Sequence, residues 1–468
     1  MMSSRTWLPA IVLLSLASHP ALAAETKQPT WGGTGYPEEW KQLTPAERGY
    51  KLLTQKAYLP PDFDQETFDN TWKNWPEPLR SEAEKATPDE RRRMAFSRYG
   101  LTPRPDDPTK PLQYVVDSAG NWTMNCFACH GGKLSGTTIP GLPNRRFALQ
   151  TLTEDTFAAK LELGKAPSRM DLGSVFVPLG ATNGSTNAVM FGVVLMHFRD
   201  ADLNIHEDRG IPKMVHHDMD APAWWNFKFK DYLYIDGFAG KGHRGLMQFM
   251  LVKQNGPERF RNWEEEFRDV FAFIASIEAP KFPGKIDQPL ADRGAVVFQK
   301  NCAECHGTYG DKPSYPERNI PIDDIGTDRV RYDALTPAHR KAYGESWFTD
   351  YAKLPNIDAP EGYVAPPLHG IWASAPYLHN GSVPTLWHLL RPAERPVVWK
   401  GAEDDYDHER VGLKVEVLPQ LPDYARRGAA RREYFSTKSF GKSAAGHDYP
   451  AKLTEAQREA VLEYLKTL

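Results

Sequence analysis

The chain has 468 residues, 41% hydrophobic and 25% charged, with 57 Lys and Arg against 60 Asp and Glu, for a formal net charge of −3. That near-neutral balance argues against nucleic acid as a partner. The length predicts two or three domains with ample core.

The chain opens MMSSRTWLPAIVLLSLASHPALAAET, with one Arg, an apolar run from Leu8 to Leu16, and Ala21-Leu22-Ala23 as a small-residue cleavage site. Residues 1–23 read as a cleaved signal peptide whose apolar run is too short to span a bilayer. The expected location is the periplasm or outside the cell, with no membrane span after cleavage. Residues 24–115 are Pro-rich, polar and helical in patches, and read as an N-terminal extension packing on the rest of the chain. QYVVDSAGNWTMNCFACH, residues 113–130, reads as a strand and turn.

Further on, Phe267, Val270, Phe271 and Ile274 share one helical face, and Pro280, Pro283 and Gly284 then break the chain. A first domain is therefore expected over 116–284 and a second over 285–468. In the second, Gly294, Val297 and Phe298 fall at helical spacing just ahead of Cys302. The chain ends in LTEAQREAVLEYLKTL, where Thr454 and Gln457 make a capping box and Val461, Leu465 and Leu468 share a face.

All four cysteines fall in two copies of one motif, Cys126-Phe-Ala-Cys129-His130 and Cys302-Ala-Glu-Cys305-His306. A four-thiolate zinc site would need pairs far closer than these and would leave the histidines idle, as would two disulfides, and a thioredoxin-like redox pair needs one copy beside a βαβ unit. C-x-x-C-H is the attachment pattern of haem c. Two thiols reach the two vinyl groups on one porphyrin edge, and the adjacent His folds under the plane to ligate iron. Two covalent haems are expected, held by Cys126, Cys129, Cys302 and Cys305, with His130 and His306 as proximal ligands. The expected fold is mainly α, two cytochrome c-like haem domains with long irregular loops and the N-terminal extension. A second strong ligand makes a haem an electron carrier; an open sixth position makes it reactive.

The run APPLHGIWASAPYLHNGSVPTLWHLL (365–390) is similar to a signature of the di-haem c-type oxidoreductases, the superfamily of the bacterial di-haem cytochrome c peroxidases. DAPAWWNFKFKDYLYIDG (220–237) and AAGHDYPAKLTEAQREAVLEYLKTL (444–468) resemble the di-haem rubber oxygenases and their relatives. The resemblance covers roughly 120–468 and does not extend over the first hundred residues. It implies that His447, in Gly446-His447-Asp448-Tyr449, is the distal ligand of the C-terminal haem. Met ligation, as in the peroxidases, is the competitor, but no Met follows His379.

The resemblance also implies an open distal face on the N-terminal haem. Trp224 and Trp225 would lie near that pocket or between the haems, and His379 and Asn380 would hold the surroundings. Trp224, Trp225 and His379 are the candidate catalytic residues. His216, His217 and His243 flank the first haem region, and ligation by one of them would make that haem an electron carrier. A calcium ion between the domains is left open. The implied activity is an oxidoreductase using O2 or peroxide at the first haem, with an organic substrate or redox protein as partner and electron relay by the second. The alternatives are a non-enzymatic electron-transfer protein and, more weakly, a gas or redox sensor.

Overall fold

A computed structural model describes residues 36–468; the expected signal peptide lies outside the described residues. Of the described residues 42% are helical and 14% strand, so the expectation of a mainly α fold is corrected to a mixed one. The strand content comes from short antiparallel pairs in the loops and from one longer ribbon, Val398–Asp407 against Gly412–Leu418. That ribbon runs in register from Val398↔Leu418 to Asp407↔Gly412, with an irregularity between Gly401 and Tyr406, and Tyr434–Ser436 adds a third strand.

Four helices matter most for the candidate sites. Helix α1 (Pro45–Gln55) begins at a Thr44/Glu47 capping box with proline in its first turn. Helix α2 is Glu264–Ser276, α3 is Gln288–Asn301 and α4 is Glu455–Leu465. The expected Thr454/Gln457 capping box opens α4.

The helices pack in two crossed pairs, α1 on α2 and α3 on α4. Each crossing is closed by a glycine. A Cβ on Gly49 of α1 would lie 2.1 Å from the Asp269 carbonyl oxygen of α2, and one on Gly294 of α3 would lie 1.9 Å from that of Ala460 on α4. Side chains there would force the helices apart. The first crossing is also tied by Arg48, whose Nε and Nη2 donate to the two Asp269 carboxylate oxygens at 2.6 and 3.0 Å. Phe267, Val270 and Ile274 are buried on α2, and Val461 and Leu465 on α4.

The first C-x-x-C-H has no helix directly ahead of it. A hairpin, Tyr114–Val116 paired with Asn121–Met124, leads into Cys126, where the sequence reads as a strand and turn. The helix that corresponds to α3 is instead α1, which lies within the stretch expected to be a wrapping extension.

The apolar interior draws on distant segments. One core joins Leu52, Phe127, Trp224 and Phe267 to Tyr343 and Phe348. Another joins Leu142 and Trp225 to Phe298, Trp372 and Val461. Adjacent residues Trp224 and Trp225 thus belong to different cores. No helix among the described residues is long and apolar enough to cross a membrane.

Candidate haem sites

Each C-x-x-C-H ends in a one-turn helix, Phe127–His130 and Ala303–His306. A helical turn puts residues three and four apart on one side, so both thiols and the imidazole face the same way. All four cysteines are free thiols. Burial pushes Cys126 up to about 12 and Cys302 up to about 11, and raises Cys129 and Cys305 as well. Among the described residues no group of three or more His, Cys, Asp or Glu is arranged to hold a metal ion.

The histidines of the two motifs are oriented alike. His130 Nδ1 donates to the Pro222 carbonyl at 3.0 Å, and His306 Nδ1 to that of Pro366 at 2.8 Å. A backbone acceptor on Nδ1 fixes the tautomer and leaves Nε2 as the lone-pair donor. Burial lowers the His130 pKa to about 4 and also lowers that of His306, so both rings are neutral as ligation demands.

The surroundings then differ. His447 faces His306, with ring centroids 6.1 Å apart and planes 66° apart. Ligand bonds of about 2 Å on either side of one iron place two imidazole centroids about 6 Å apart. The pair therefore fits a single six-coordinate iron. Burial, then the nearby His306 and Arg395, push His447 down to about 3. Its Nδ1 is buried without a hydrogen-bond partner.

His130 has a different neighbour. Trp224 stacks on its ring at 4.7 Å and 22°. Among the described residues no histidine ring lies against His130 as His447 lies against His306. His243 donates toward Glu264 at 3.1 Å, and His216 is within 3.0 Å of Asn187 and 2.9 Å of the Pro178 carbonyl. His217 is buried, with Nδ1 on the Val215 carbonyl at 3.1 Å.

Trp225 is fully buried, and its Nε1 donates to the His369 carbonyl at 2.6 Å. Gly370 lets the indole approach: its φ is +59°, and a Cβ there would lie 2.8 Å from Trp225 Nε1. The His369 ring lies 5.0 Å from Tyr309, whose hydroxyl donates to the His306 carbonyl at 2.9 Å. His130 is thus linked to Trp224 by ring stacking, Trp224 to Trp225 by the peptide bond, and Trp225 through His369 and Tyr309 to the His306 main chain. Sequence reasoning missed His369 and Tyr309; the three-residue offset of Tyr309 from His306 was the only local signal.

His379 sits against Tyr363 with centroids 4.6 Å apart, and its carbonyl accepts from Asp220 N at 3.0 Å. Burial, then the positive charge of Arg331 and the neighbouring His217 and Lys442, push it down to about 3. Asn380 Nδ2 donates to the carbonyls of Gly441 and Ser443 at 3.1 and 2.9 Å, tethering the segment just ahead of His447.

Comparison with known proteins points the same way as the motifs. Residues 289–338, which contain the second C-x-x-C-H, match the family described as cytochrome c oxidase, cbb3-type, subunit III. Residues 362–400, which contain Pro366, His369, His379 and Arg395, match the family described as RoxA-like, cytochrome c-like. The chain is 31% identical over 201 residues to the uncharacterized protein y4iM of Sinorhizobium fredii (strain NBRC 101917 / NGR234), a match covering 38% of this chain and 45% of that protein. It is 29% identical over 262 residues to the uncharacterized protein y4iJ of the same organism, covering 42% of each. The chain thus spans under half the length of either relative it matches.

Proposed function

We propose that this chain, a c-type cytochrome by the two family segments it contains, is an exported di-haem oxidoreductase of the di-haem peroxidase and rubber-oxygenase type. Cytochrome c segments indicate covalent haem c and haem-based electron transfer. The finer reading gives the two motifs different duties. Cys126, Cys129 and His130 would hold a reactive haem, while Cys302, Cys305, His306 and His447 would hold a saturated one. The observation that carries it is an asymmetry between the motifs: an imidazole opposes His306, and none among the described residues lies against His130.

When bound, haem supplies one-electron chemistry and the activation of O2 or peroxide. The chain's own residues set the terms. The Pro222 and Pro366 carbonyls orient the two proximal imidazoles and raise their basicity. His447, bound opposite His306, would exclude small ligands from the second iron. Trp224 and Trp225 couple the two centres, one stacked on His130 and the other bonded to the segment that holds His306. Phe127, Trp224, Val193 and Met196 make the core beside Cys126 apolar. An apolar environment suits O2 and an apolar organic substrate better than acid-assisted cleavage of peroxide, which needs a positioned proton donor.

The test uses the exported holoprotein. A variant with Cys126 and Cys129 both replaced by Ala should carry one haem per chain, by pyridine haemochrome, and lose O2- and peroxide-dependent turnover. Retention of turnover on the second haem alone would overturn the assignment of the reactive site.

A further inference from the structure

We infer that Arg395 is the positioning residue of His447, clamping the 444–447 loop by its backbone so that the imidazole stays opposite His306. This rests on the reading that His306 and His447 bracket one iron.

The loop Ala444-Ala445-Gly446-His447 has almost no side chain of its own with which to anchor itself. It is also wound into an unfavourable backbone. Gly446 has φ +77° and His447 has φ +52°, the left-handed region that a residue with a Cβ avoids. Such a conformation persists only where its surroundings impose it.

The imidazole does not supply that constraint. His130 and His306 are each oriented through Nδ1 by a carbonyl, whereas His447 Nδ1 is buried and finds no acceptor. No hydrogen bond at Nδ1 orients the His447 ring; beside the edge-on packing of Tyr449 at 5.6 Å, its placement follows from its main chain.

Arg395 reaches that main chain from a segment far upstream. Its Nη1 donates to the Ala444 carbonyl at 2.6 Å and to that of Gly446 at 2.7 Å. Its Nη2 reaches the His447 carbonyl at 3.4 Å and the Leu389 carbonyl at 3.3 Å. One guanidinium thus ties three of the four loop residues to the end of the Leu386–Leu389 helix. The side chain is 4% exposed, and its nearest carboxylate, Asp448, is 3.8 Å away and 65% exposed. A guanidinium buried against carbonyls and one loosely held acid is costly to desolvate, which suits a group kept for geometry rather than for ion pairing. The planar fork makes the clamp: lysine could carry the charge but not the paired donors. On the other side, His447 N donates to the Ile325 carbonyl at 2.7 Å, and the Gly446 Cα packs on Gly326. The loop is held between these two backbone grips.

The experiment compares wild type, Arg395→Met, Arg395→Lys and His447→Ala, each as holoprotein with covalent haem counted. The readouts are the low-spin ferric signal by low-temperature EPR and CO binding to the second haem after reduction. Arg395→Met should keep both haems but lose part of the low-spin signal, with CO affinity at the second haem rising roughly tenfold to a hundredfold. Arg395→Lys, which preserves charge and bulk, should show the same change to a smaller degree. If Arg395→Met or Arg395→Lys matches wild type in both signals while His447→Ala opens the haem, the clamp is wrong. If His447→Ala leaves the low-spin signal intact, the ligand reading fails and the clamp falls with it.

Discussion

The rings of His306 and His447 face each other with centroids 6.1 Å apart, although the two residues come from opposite ends of the C-terminal half. That spacing matches what one iron between two imidazoles requires, and with both bound the second haem would be saturated. His447→Ala should convert the second haem toward high spin while both haems remain attached, because the thioether bonds do not depend on the sixth ligand. Absorption and EPR spectra at matched haem content test this; an unchanged low-spin signal would place the ligand elsewhere.

Trp224 stacks on the His130 ring, and Trp225 beside it donates to the His369 carbonyl. Electron redistribution between the haems should therefore slow in a Trp224→Phe variant, without loss of either haem. Flash photolysis of the half-reduced CO adduct measures this directly. An unaltered rate would mean that the electron path bypasses the indole.

The glycine crossings give a stability prediction. Gly294→Ala would drive a methyl to 1.9 Å from the Ala460 oxygen, so α3 and α4 must separate. The expected loss is about 1–3 kcal/mol, the range for overpacking, read from denaturant unfolding of the haem-loaded protein. Gly49→Ala should act similarly on α1 and α2, where the Asp269 carbonyl oxygen stands in the way.

His379 makes stability depend on pH. Its value falls to about 3 in the folded chain, from about 6.5 when unfolded. Between those values the unfolded chain takes up a proton that the folded chain excludes. The contribution is therefore complete above about pH 6.5 and lost on acidification, at up to about 1.4 kcal/mol per pH unit. Urea midpoints at pH 7 and pH 5 should differ less for His379→Gln than for the parent. Equal differences would show that this imidazole does not resist protonation.

Much of the site was legible because its chemistry is local. C-x-x-C-H carries thiols and imidazole within one helical turn, and the capping box at Thr454 announces α4 from four residues. A strand and a turn before Cys126 were also readable in residues 113–130; the return as a second strand, Asn121–Met124, was not. The partner of α2 was not: α1 lies far upstream, and its amphipathic face says that it packs without saying on what. Arg395 was equally hidden, because a side chain that bonds main-chain carbonyls leaves no signature at the residues it holds. The strand content was underestimated because most of the strands are two to four residues long, too short for periodicity to register.

Low-temperature EPR of the fully oxidised protein, with haem counted by pyridine haemochrome, is the most direct test of the division of duties between the two motifs. Two haems per chain are predicted, one low-spin centre that depends on His447 and one high-spin or weakly ligated centre that depends on Cys126 and Cys129. Two low-spin centres that persist on half-reduction, or a single haem per chain, would contradict that division.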